Sequence, residues 1–554
     1  MTQTRRNILW IMCDQLRFDY LSCAGHKTLS TPNIDRLAAK GVRFTKAYTQ
    51  STICGPARMS AYTGRYVRSH GSTQNGVPLR VGEPTLGDHL RANGMRCVLI
   101  GKTHMVADKE GMERLGIAPE SLIGVHTAQC GFEPYERDDG LHPGQGPQDI
   151  AYNDYLRSKG YAQAAPWEAF ANGAEGAGDE SLSGWLLSHA DKPARVREED
   201  SETPYMTRRA MRFIEEAELD GRPWCAHLSY IKPHWPYIVP EPYASMYGPE
   251  DVQSPIRNQA EIEDAHPLYA AFMKERYSRN FSREEVRERV VPAYMGLIKQ
   301  IDDQIGLLTN FLEEKGLIDH TMIIFTSDHG DYLGDHWLGE KYLFHDVSVK
   351  IPFIVYDPSP EADATRGTSS DALVEMIDLA PTFLSFIGAP ARPHVLEGLS
   401  LTPLLHQRGA FWPRHYAISE YDYAPDAARL HLDRSVQESR AVMITDGRFK
   451  MIETPGYRPM LYDLDNDPQE LRDIGADPAQ ATQIGHLRAA MLDWYRAARN
   501  RITVSDEWFT EHDKLLAAGG DPTLLAGIII GYWDEDELQQ AKDLAARYSG
   551  HDEA

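Results

Sequence analysis

The alternation of short apolar runs with helical stretches narrows the possible folds of this chain more than any other feature. Five runs have the composition of buried strands: Ile8–Met12, Arg96–Ile100, Trp224–Tyr230, Met322–Thr326 and Ile351–Tyr356. The intervening sequence predicts helices, for example from Ile34 to Lys40 and from about Pro204 to Glu218. Strands that alternate with helices are typical of an α/β fold with a mostly parallel sheet.

The first four apolar runs each lead into side chains that bind metals or anions. These side chains are Asp14, Lys102, His104, Lys232, His234, Asp328 and His329. In an open α/β sheet the carboxyl ends of the strands share one rim, where ligands bind. A single histidine or aspartate in such a position is more often an ordinary loop residue. Four strands that end in this way indicate one functional site at the rim.

Two stretches depart from this alternation. Residues 131–191 are rich in Gly, Asp, Glu and Ala, and we interpret them as an insertion near the rim, either a lid or a disordered surface loop. From about Gly409 shorter elements follow, including a hairpin across Asp446-Gly447 and a helix from Ile484 to about Arg499. We therefore expect a catalytic α/β domain over 1–408, a smaller α+β domain over 409–500 and a tail over 501–554.

Charge and composition exclude several classes of partner. With 57 Lys and Arg against 81 Asp and Glu, the net charge is −24, which opposes binding to nucleic acid or to an anionic membrane. An anionic small molecule is still compatible, because a local cluster of cations outweighs the global field. The six cysteines form no CxxC pair, which argues against a zinc ribbon or a disulfide framework. Since neither a membrane span nor a signal-peptide core is evident, we expect a cytoplasmic enzyme.

The segment around Cys54 carries the most specific signal. Pro56 suits the first turn of a helix, so Cys54 would lie at a helix N-terminus, where free N–H groups favour an anion. One cysteine in that position is ordinarily a structural thiol. Here Cys54-Gly-Pro-Ala-Arg58 continues to Thr63-Gly64-Arg65, and the whole segment resembles the signature of the type I sulfatases of the alkaline phosphatase superfamily. The resemblance implies that Cys54 is oxidised to formylglycine, whose hydrated aldehyde is the nucleophile.

The resemblance covers roughly three quarters of the chain. Further segments similar to the family are Thr31–Leu37, Gly41–Phe44, Asp378–Thr382, Gly398–Leu404 and Leu461–Leu464. The match is weakest in the insertion and beyond about residue 500. The family relationship implies a large, mostly parallel sheet flanked by helices, as in alkaline phosphatase, and a smaller C-terminal α+β domain.

Two carboxylates and an imidazole form the expected metal site. A divalent cation would be held by Asp14, Asp328 and His329, with Gln15 beside them. The carboxylate oxygens favour Ca²⁺ or Mg²⁺. The imidazole shifts the preference toward Mn²⁺ or Fe²⁺, and Zn²⁺ is also compatible. In the family the metal also holds the nucleophile, which adds residue 54 to the ligands. Many sulfatases have a second aspartate in place of Gln15 and an asparagine in place of His329. Choline sulfatases and phosphonate monoester hydrolases share this chain's residues, so we expect one Mn or Ca ion, with Mn favoured.

The resemblance also assigns roles to basic residues. Arg58 would face residue 54 and fix the gem-diol. Lys102 and His104 are two residues apart, so they point to the same side of an extended segment. They resemble the Gly-Lys-x-His element of the family, in which the lysine contacts sulfate and the histidine supports the diol. His234 resembles the histidine that contacts the ester oxygen and acts as general acid.

Three more residues are weighed at this site. Lys341 resembles a later sulfate-binding lysine and is the runner-up to His234 as general acid, although without the resemblance it would be taken for a solvated lysine. Asn75 matches an asparagine of the most similar relatives that touches the substrate, and a plain turn residue beside Gly76 is an equal alternative. Lys232 is adjacent and is expected to do no chemistry.

Three functions are open at this point. The first is a formylglycine-dependent sulfatase for sulfate monoesters, aryl esters or choline sulfate. The second is a phosphonate monoester or phosphodiester hydrolase with the same machinery, and we expect cross-activity because both substrates are monoanionic tetrahedral centres. Lys102 and His104 favour the sulfatase, since phosphonate monoester hydrolases lack this pair. The third is a binding protein with a free thiol at Cys54, which would not need nucleophile, metal ligands and acid together.

The tail and the chemistry suggest the partners. Leu524–Ile530 and the helix-like segment Glu535–Tyr548 carry more apolar surface than a free terminus needs. Relatives with such tails form dimers and tetramers, so we expect a homo-oligomer. The family implies two further partners, a small-molecule sulfate or phosphonate ester and a formylglycine-generating maturation enzyme.

Overall fold

The computed structural model describes residues 5–140, 150–178, 180–508, 510 and 531–548. These residues fall into two compact units, one within 1–391 and 398–498, the other within 392–397 and 499–554. Among the described helices, none combines the length and the apolar composition that are needed to cross a bilayer.

The strands are numbered in chain order. They are β1 (Asn7–Asp14), β2 (Val42–Tyr48), β3 (Arg96–Gly101), β4 (Glu133–Arg137), β5 (Gly173–Glu175), β6 (Ser181–Ser183), β7 (Trp224–Pro233), β8 (Thr321–Ser327), β9 (Phe353–Tyr356), β10 (Thr368–Glu375), β11 (Ala417–Asp422), β12 (Arg440–Thr445), β13 (Phe449–Glu453) and β14 (Met460–Asp463).

The helices follow the same convention. They are α1 (Pro32–Lys40), α2 (Cys54–Thr63), α3 (Val67–His70), α4 (Leu86–Ala92), α5 (Lys109–Arg114), α6 (Leu122–Thr127), α7 (Ala151–Ser158), α8 (Glu202–Asp220), α9 (Ala260–Glu263), α10 (Pro267–Met273), α11 (Arg276–Phe281), α12 (Glu284–Glu314), α13 (Asp346–Val349), α14 (Leu379–Ile387), α15 (Thr402–His406), α16 (Ala427–His431), α17 (Ala481–Arg496) and α18 (Glu535–Tyr548).

An eight-stranded sheet in the order β10-β2-β9-β8-β1-β7-β3-β4 forms the centre of the first unit. Its neighbours are parallel except β9, which runs antiparallel to both β2 and β8. The predicted α/β fold with a mostly parallel sheet is therefore confirmed. Strand β1 is buried along its whole length, as expected for a strand covered by helices on both faces.

Helices α1, α8 and α12 cover one face of this sheet. Helix α8 turns Phe213, Ile214 and Ala217 into the core, and α12, with Pro292 inside it, contributes buried residues along its 31 positions. The sequence predicted α1 and α8 to within two residues. It did not predict α12, although this is the longest helix described.

The strand register brings the predicted site residues together. Cys13 pairs with Ser327, so Asp14 and Asp328 leave neighbouring strands at the same level. Asp14 also pairs with Pro233, next to His234, and Gly101, which precedes Lys102, pairs with Ser229. The polar rim that we expected from the strand ends is thus a consequence of the parallel register.

The C-terminal elements form an antiparallel sheet in the order β11-β12-β13-β14. The predicted hairpin across Asp446-Gly447 joins β12 and β13, and Gly447 adopts φ 90°, a conformation that glycine allows without steric cost. Helix α17 buries Ile484, Leu487 and Met491. A domain boundary near residue 408 stays a prediction.

The insertion is folded where the structure describes it. Residues 150–178 and 180–191 contain α7 and the β5-β6 pair, and Trp167 is buried with its Nε1 2.8 Å from Glu202 Oε1. The described part of the insertion thus forms a folded segment, and its role as a lid stays a prediction. Residues 141–149 and 179, and the apolar tail segment 524–530, lie outside the described residues, whereas the helix predicted over Glu535–Tyr548 is present.

Candidate active site

Helix α2 places Cys54 at its buried N-terminus. All ten of its residues are buried, and Pro56 lies in the first turn, as predicted. The helix ends at Gly64, which has φ 65° and donates its N–H to Ser60 O at 2.9 Å. At the other end the N–H of Gly55 donates to Asn75 Oδ1 at 2.8 Å.

Cys54 faces charged groups rather than apolar ones. Its Sγ lies 3.1 Å from His329 Nε2, 3.2 Å from Lys341 Nζ and 3.9 Å from Asp14 Oδ1. Burial raises the pKa of the Cys54 thiol, but Lys341, Lys102 and His329 lower it by more, so the pKa lies well below its ordinary value. Residue 54 thus occupies a site that stabilises a negative charge.

Four residues offer ligand atoms to one metal ion. The atoms of Asp14, Cys54, Asp328 and His329 lie within 4.8 Å of one another, and all four residues are buried. His329 Nδ1 donates to the Gly330 carbonyl at 2.9 Å, which directs Nε2 into the cluster. Burial and the neighbouring Asp14 raise the pKa of Asp328. Two buried carboxylates and an imidazole side by side fit a divalent cation.

A second group, Glu261, His336 and His345, also brings ligand atoms together. Its two imidazole rings are stacked with centroids 3.7 Å apart and planes at 1°. Because ring nitrogens bind metals in the ring plane, parallel rings do not converge on one ion. His336 instead hydrogen-bonds to Glu261 at 2.7 Å.

Gln15 lies beside the metal group, but its side chain points elsewhere. The Oε1 atom accepts a hydrogen bond from Lys341 Nζ at 2.9 Å, and Nε2 donates to Asp331 Oδ2 at 2.5 Å. Its backbone N–H donates to Asp328 Oδ1 at 3.0 Å. Gln15 thus orients Lys341 and Asp328, which differs from the expectation that it binds the metal directly.

Arg58 joins the two acidic strand ends. Its Nε donates to Asp328 Oδ2 and its Nη2 to Asp14 Oδ2, both at 2.9 Å, and the side chain is fully buried. Its Nη1 donates to the Lys102 carbonyl and to Ser229 Oγ. We expected Arg58 to fix residue 54. Its guanidinium contacts the two carboxylates and interacts electrostatically with Cys54, and its role in fixing a gem-diol at residue 54 stays a prediction.

Lys102 and His104 both lie at the site, although the segment that carries them is not extended. Lys102 Nζ is 2.6 Å from Asp14 Oδ2, and a hydrogen bond from His104 lowers the pKa of Cys54. His104 has φ 54°, and its N–H donates to Asp139 Oδ1 at 3.0 Å. Asp139 was missed by the sequence analysis, since it follows an edge strand without a continuous apolar run.

His234 is buried. Its Nδ1 donates to the Trp235 carbonyl at 2.6 Å, and its Nε2 lies 3.8 Å from Asp14 Oδ1. Burial, with Lys102 and Lys341, lowers the pKa of His234 to about 3. For Lys341, burial lowers the pKa, but Cys54, Asp14 and Glu340 raise it by more, so it lies above the ordinary value.

Asn75 and Lys232 hold structural contacts. The hydrogen bond of Asn75 to Gly55 satisfies a free N–H at the start of α2, and a Cβ at position 55 would lie 2.7 Å from Asn75 Oδ1. Lys232 donates to the Pro236 carbonyl at 2.8 Å. Asn75 is thus next to residue 54, and Lys232 has a partner of its own.

Comparison with known proteins agrees with this geometry. The family model "Sulfatase" matches residues 6–389, and "N-sulphoglucosamine sulphohydrolase, C-terminal" matches residues 334–496. The "Multifunctional alkaline phosphatase superfamily protein PehA" of Trinickia caryophylli is 31% identical, over 92% of this chain and 98% of its own. An arylsulfatase of Clostridium perfringens is 26% identical, over 92% and 97%.

The solved structures point the same way. A phosphonate monoester hydrolase from Silicibacter pomeroyi has a TM-score of 0.78 and 26% identity, over 91% of this chain and 98% of that chain. The sheet order, the buried acidic cluster and these similarities confirm the family that the Cys54 segment indicated. The chain belongs to the sulfatase family of the alkaline phosphatase superfamily.

Proposed function

We propose that this protein hydrolyses sulfate monoesters, with residue 54 as the nucleophile after oxidation of Cys54 to formylglycine. One observation carries the proposal: the buried Sγ of Cys54 lies within 3.2 Å of both His329 and Lys341. A structural thiol packs against apolar side chains, whereas this one faces a metal-ligand group and a cation. The position therefore suits a reacting group.

The residues around position 54 also fit one divalent ion. Asp14, Asp328, His329 and an oxygen of formylglycine would hold it, and we favour Mn over Ca because the set includes an imidazole. When bound, such an ion supplies Lewis-acid polarisation of an ester oxygen. Lys102 and Lys341 add positive charge for the remaining sulfuryl oxygens.

The reaction balances with the groups present. One hydroxyl of the hydrated aldehyde loses its proton as its oxygen bonds to sulfur, the bond from sulfur to the alcohol oxygen breaks, and that oxygen takes up a proton. The second hydroxyl then gives its proton to a base, the bond from carbon to the sulfate oxygen breaks, and sulfate leaves as the aldehyde forms again. Addition of water to the aldehyde restores the diol and completes the hydrolysis. Of the two expected acids, we favour Lys341 as proton donor, because Nε2 of the neutral His234 carries no proton.

Hydrolysis of phosphonate monoesters and phosphodiesters is the second candidate. Gln15 and His329, which we identified as typical of phosphonate monoester hydrolases, support it, as does the TM-score of 0.78 to such an enzyme. The test compares kcat/KM for phenyl sulfate and for the phenyl ester of phenylphosphonate with one preparation. A higher value for the sulfate supports the main proposal, and a higher value for the phosphonate ester supports the second.

Two partners follow from this proposal. Oxidation of Cys54 requires a formylglycine-generating enzyme, because a thiol does not become an aldehyde unaided. We further propose a homo-oligomer that depends on residues 501–554. Sizing of the full chain and of a chain ending at residue 500 tests this, and an unchanged oligomer after truncation would overturn it.

A further inference from the structure

A cavity of about 840 Å³ is lined by chain neighbours of His234 and Lys341. Its walls come from segments that are far apart in sequence: the end of the insertion, the residues after His234, the stretch from α11 to the start of α12, and the neighbours of Lys341. The lining includes the side chains of Trp185, Trp235, Arg276, Tyr277, Glu340 and Tyr342. Because Trp235 follows His234 and Glu340 precedes Lys341, the cavity adjoins the segments that carry these two site residues.

Aromatic rings form two walls of this cavity. Trp185 and Trp235 pack edge to face with centroids 6.0 Å apart, and Tyr277 stacks on Tyr342 with centroids 5.0 Å apart. Both indole rings are fixed by hydrogen bonds of 2.8 Å, from Trp185 to Glu168 and from Trp235 to Glu340. Rings that are held in place before binding offer stacking surfaces at low entropic cost.

The charges that line the cavity favour an anionic ligand over a cationic one. Three guanidinium groups line it, those of Arg276, Arg283 and Arg289, against the carboxylates of Glu285 and Glu340. Arg283 lies 3.7 Å from Glu285, and Arg289 lies 3.3 Å from Asp191. The structure gives Arg276 no ion pair or hydrogen bond among the described residues. An excess of guanidinium groups disfavours a quaternary ammonium and leaves one cation free for an anion.

We propose that this cavity binds the leaving group and that the leaving group is an aromatic alcohol with a second anionic substituent. Trp185 and Tyr277 contact its rings, and Arg276 pairs with its distal anion. The inference rests on the proposed function, because it requires an ester whose anionic centre meets residue 54. It assigns to the insertion, through Trp185, the role of specificity element.

Paired substrates test the proposal with the full-length, formylglycine-containing protein. The probes are biphenyl-4-yl sulfate, its 4'-carboxy derivative, phenyl sulfate and choline sulfate. We expect the carboxylated ester to have a kcat/KM roughly three- to tenfold above that of the plain biphenyl ester. In Arg276→Gln this ratio falls to about one, whereas in Arg279→Gln, an exposed arginine of the same helix that does not line the cavity, the ratio is unchanged.

A second pair of substrates tests the contact with Trp185. In Trp185→Ala the ratio of kcat/KM for biphenyl-4-yl sulfate over phenyl sulfate falls, because only the larger ester reaches the indole ring. A carboxylate ratio that is equal in wild type and Arg276→Gln overturns the anion assignment. A preference of the wild type for choline sulfate over the aromatic esters overturns the whole proposal.

Failure of the proposed function is distinguished by two further measurements. The first measurement repeats the comparison with the phosphonate esters of the same alcohols. If these esters show the loss of carboxylate preference in Arg276→Gln while the sulfates are not turned over, only the sulfatase assignment fails. Calorimetric binding of 4'-carboxybiphenyl-4-ol to wild type and Arg276→Gln needs no turnover at all. Weaker binding by the variant supports the cavity assignment, and equal binding contradicts it.

Discussion

Lys341 Nζ lies 3.2 Å from Cys54 Sγ, although the two residues are 287 positions apart. Gln15 fixes the ammonium group from the other side through its Oε1. The backbone next to Lys341 adopts φ 60° at Glu340 and φ 86° at Tyr342, conformations that a non-glycine residue takes only where its surroundings impose them. A lysine that the sequence alone presents as solvated is thereby buried against the nucleophile position.

Separate replacement of Lys341 and of His234 shows which of the two residues donates the proton to the leaving group. In Lys341→Met we expect kcat/KM to fall by roughly 10²–10⁴-fold, and the loss to be larger for phenyl sulfate than for 4-nitrophenyl sulfate, whose leaving group needs no proton. In His234→Asn the two losses should be equal. The opposite pattern would assign the general acid to His234.

Removal of Arg58 should destabilise the protein strongly. Arg58→Gln leaves the buried carboxylates of Asp14 and Asp328 without their shared cation, at a cost of about 3–5 kcal/mol in the free energy of unfolding. Urea denaturation measures this loss. The control is Arg212→Gln, because Arg212 forms an exposed helix ion pair with Glu216 and should contribute less than about 1 kcal/mol. Similar losses in both variants would contradict the bridging role of Arg58.

Metal binding should depend on Asp328 and not on Glu261. After chelator treatment, addition of Mn²⁺ at about 100 times its Kd should stabilise the wild type by about 2.7 kcal/mol, seen as a rise in Tm. In Asp328→Asn the rise should disappear, whereas Glu261→Gln should keep it because Glu261 belongs to the group with stacked imidazoles. A rise that survives in Asp328→Asn would place the ion elsewhere.

His227 makes stability dependent on pH. Burial and Arg58 lower its pKa to about 3, so between pH 6.5 and about 3 the unfolded chain binds this proton and the folded chain does not. Stability therefore falls as the pH falls through this window, by up to about 1.4 kcal/mol per pH unit for one histidine. The slope of the unfolding free energy against pH, measured between pH 6 and pH 4.5, reports how many more protons the unfolded chain binds than the folded chain. In His227→Phe this number should be smaller than in the wild type by nearly one. An unchanged slope would mean that His227 is already protonated in the folded protein.

The sequence was sufficient to predict the position of the strands that are buried on both faces. β1, β3, β7 and β8 each form a continuous apolar run, and the predicted ends lie within three residues of those observed. The edge strand β10 and its neighbour β2 were missed, because their side chains alternate between buried and partly exposed positions. Their pairing is decided by neighbours that no local pattern identifies.

The sequence allowed prediction of those site residues that directly follow a strand. Asp14, Lys102, Asp328 and His329 meet because parallel register brings their strand ends together. Lys341 has no such marker, and only the family resemblance identified it. The contacts of Gln15 and Arg58 depend on side-chain geometry across distant segments, so their partners could not be read from spacing.

Peptide mass spectrometry of the fragment that carries residue 54, on a preparation assayed with phenyl sulfate, shows whether Cys54 is converted in the active enzyme. We expect an aldehyde in place of the thiol, and a specific activity that rises in proportion to the converted fraction. A fully active preparation with an unmodified thiol at Cys54 would contradict this expectation, and would make Cys54 a residue of the fold.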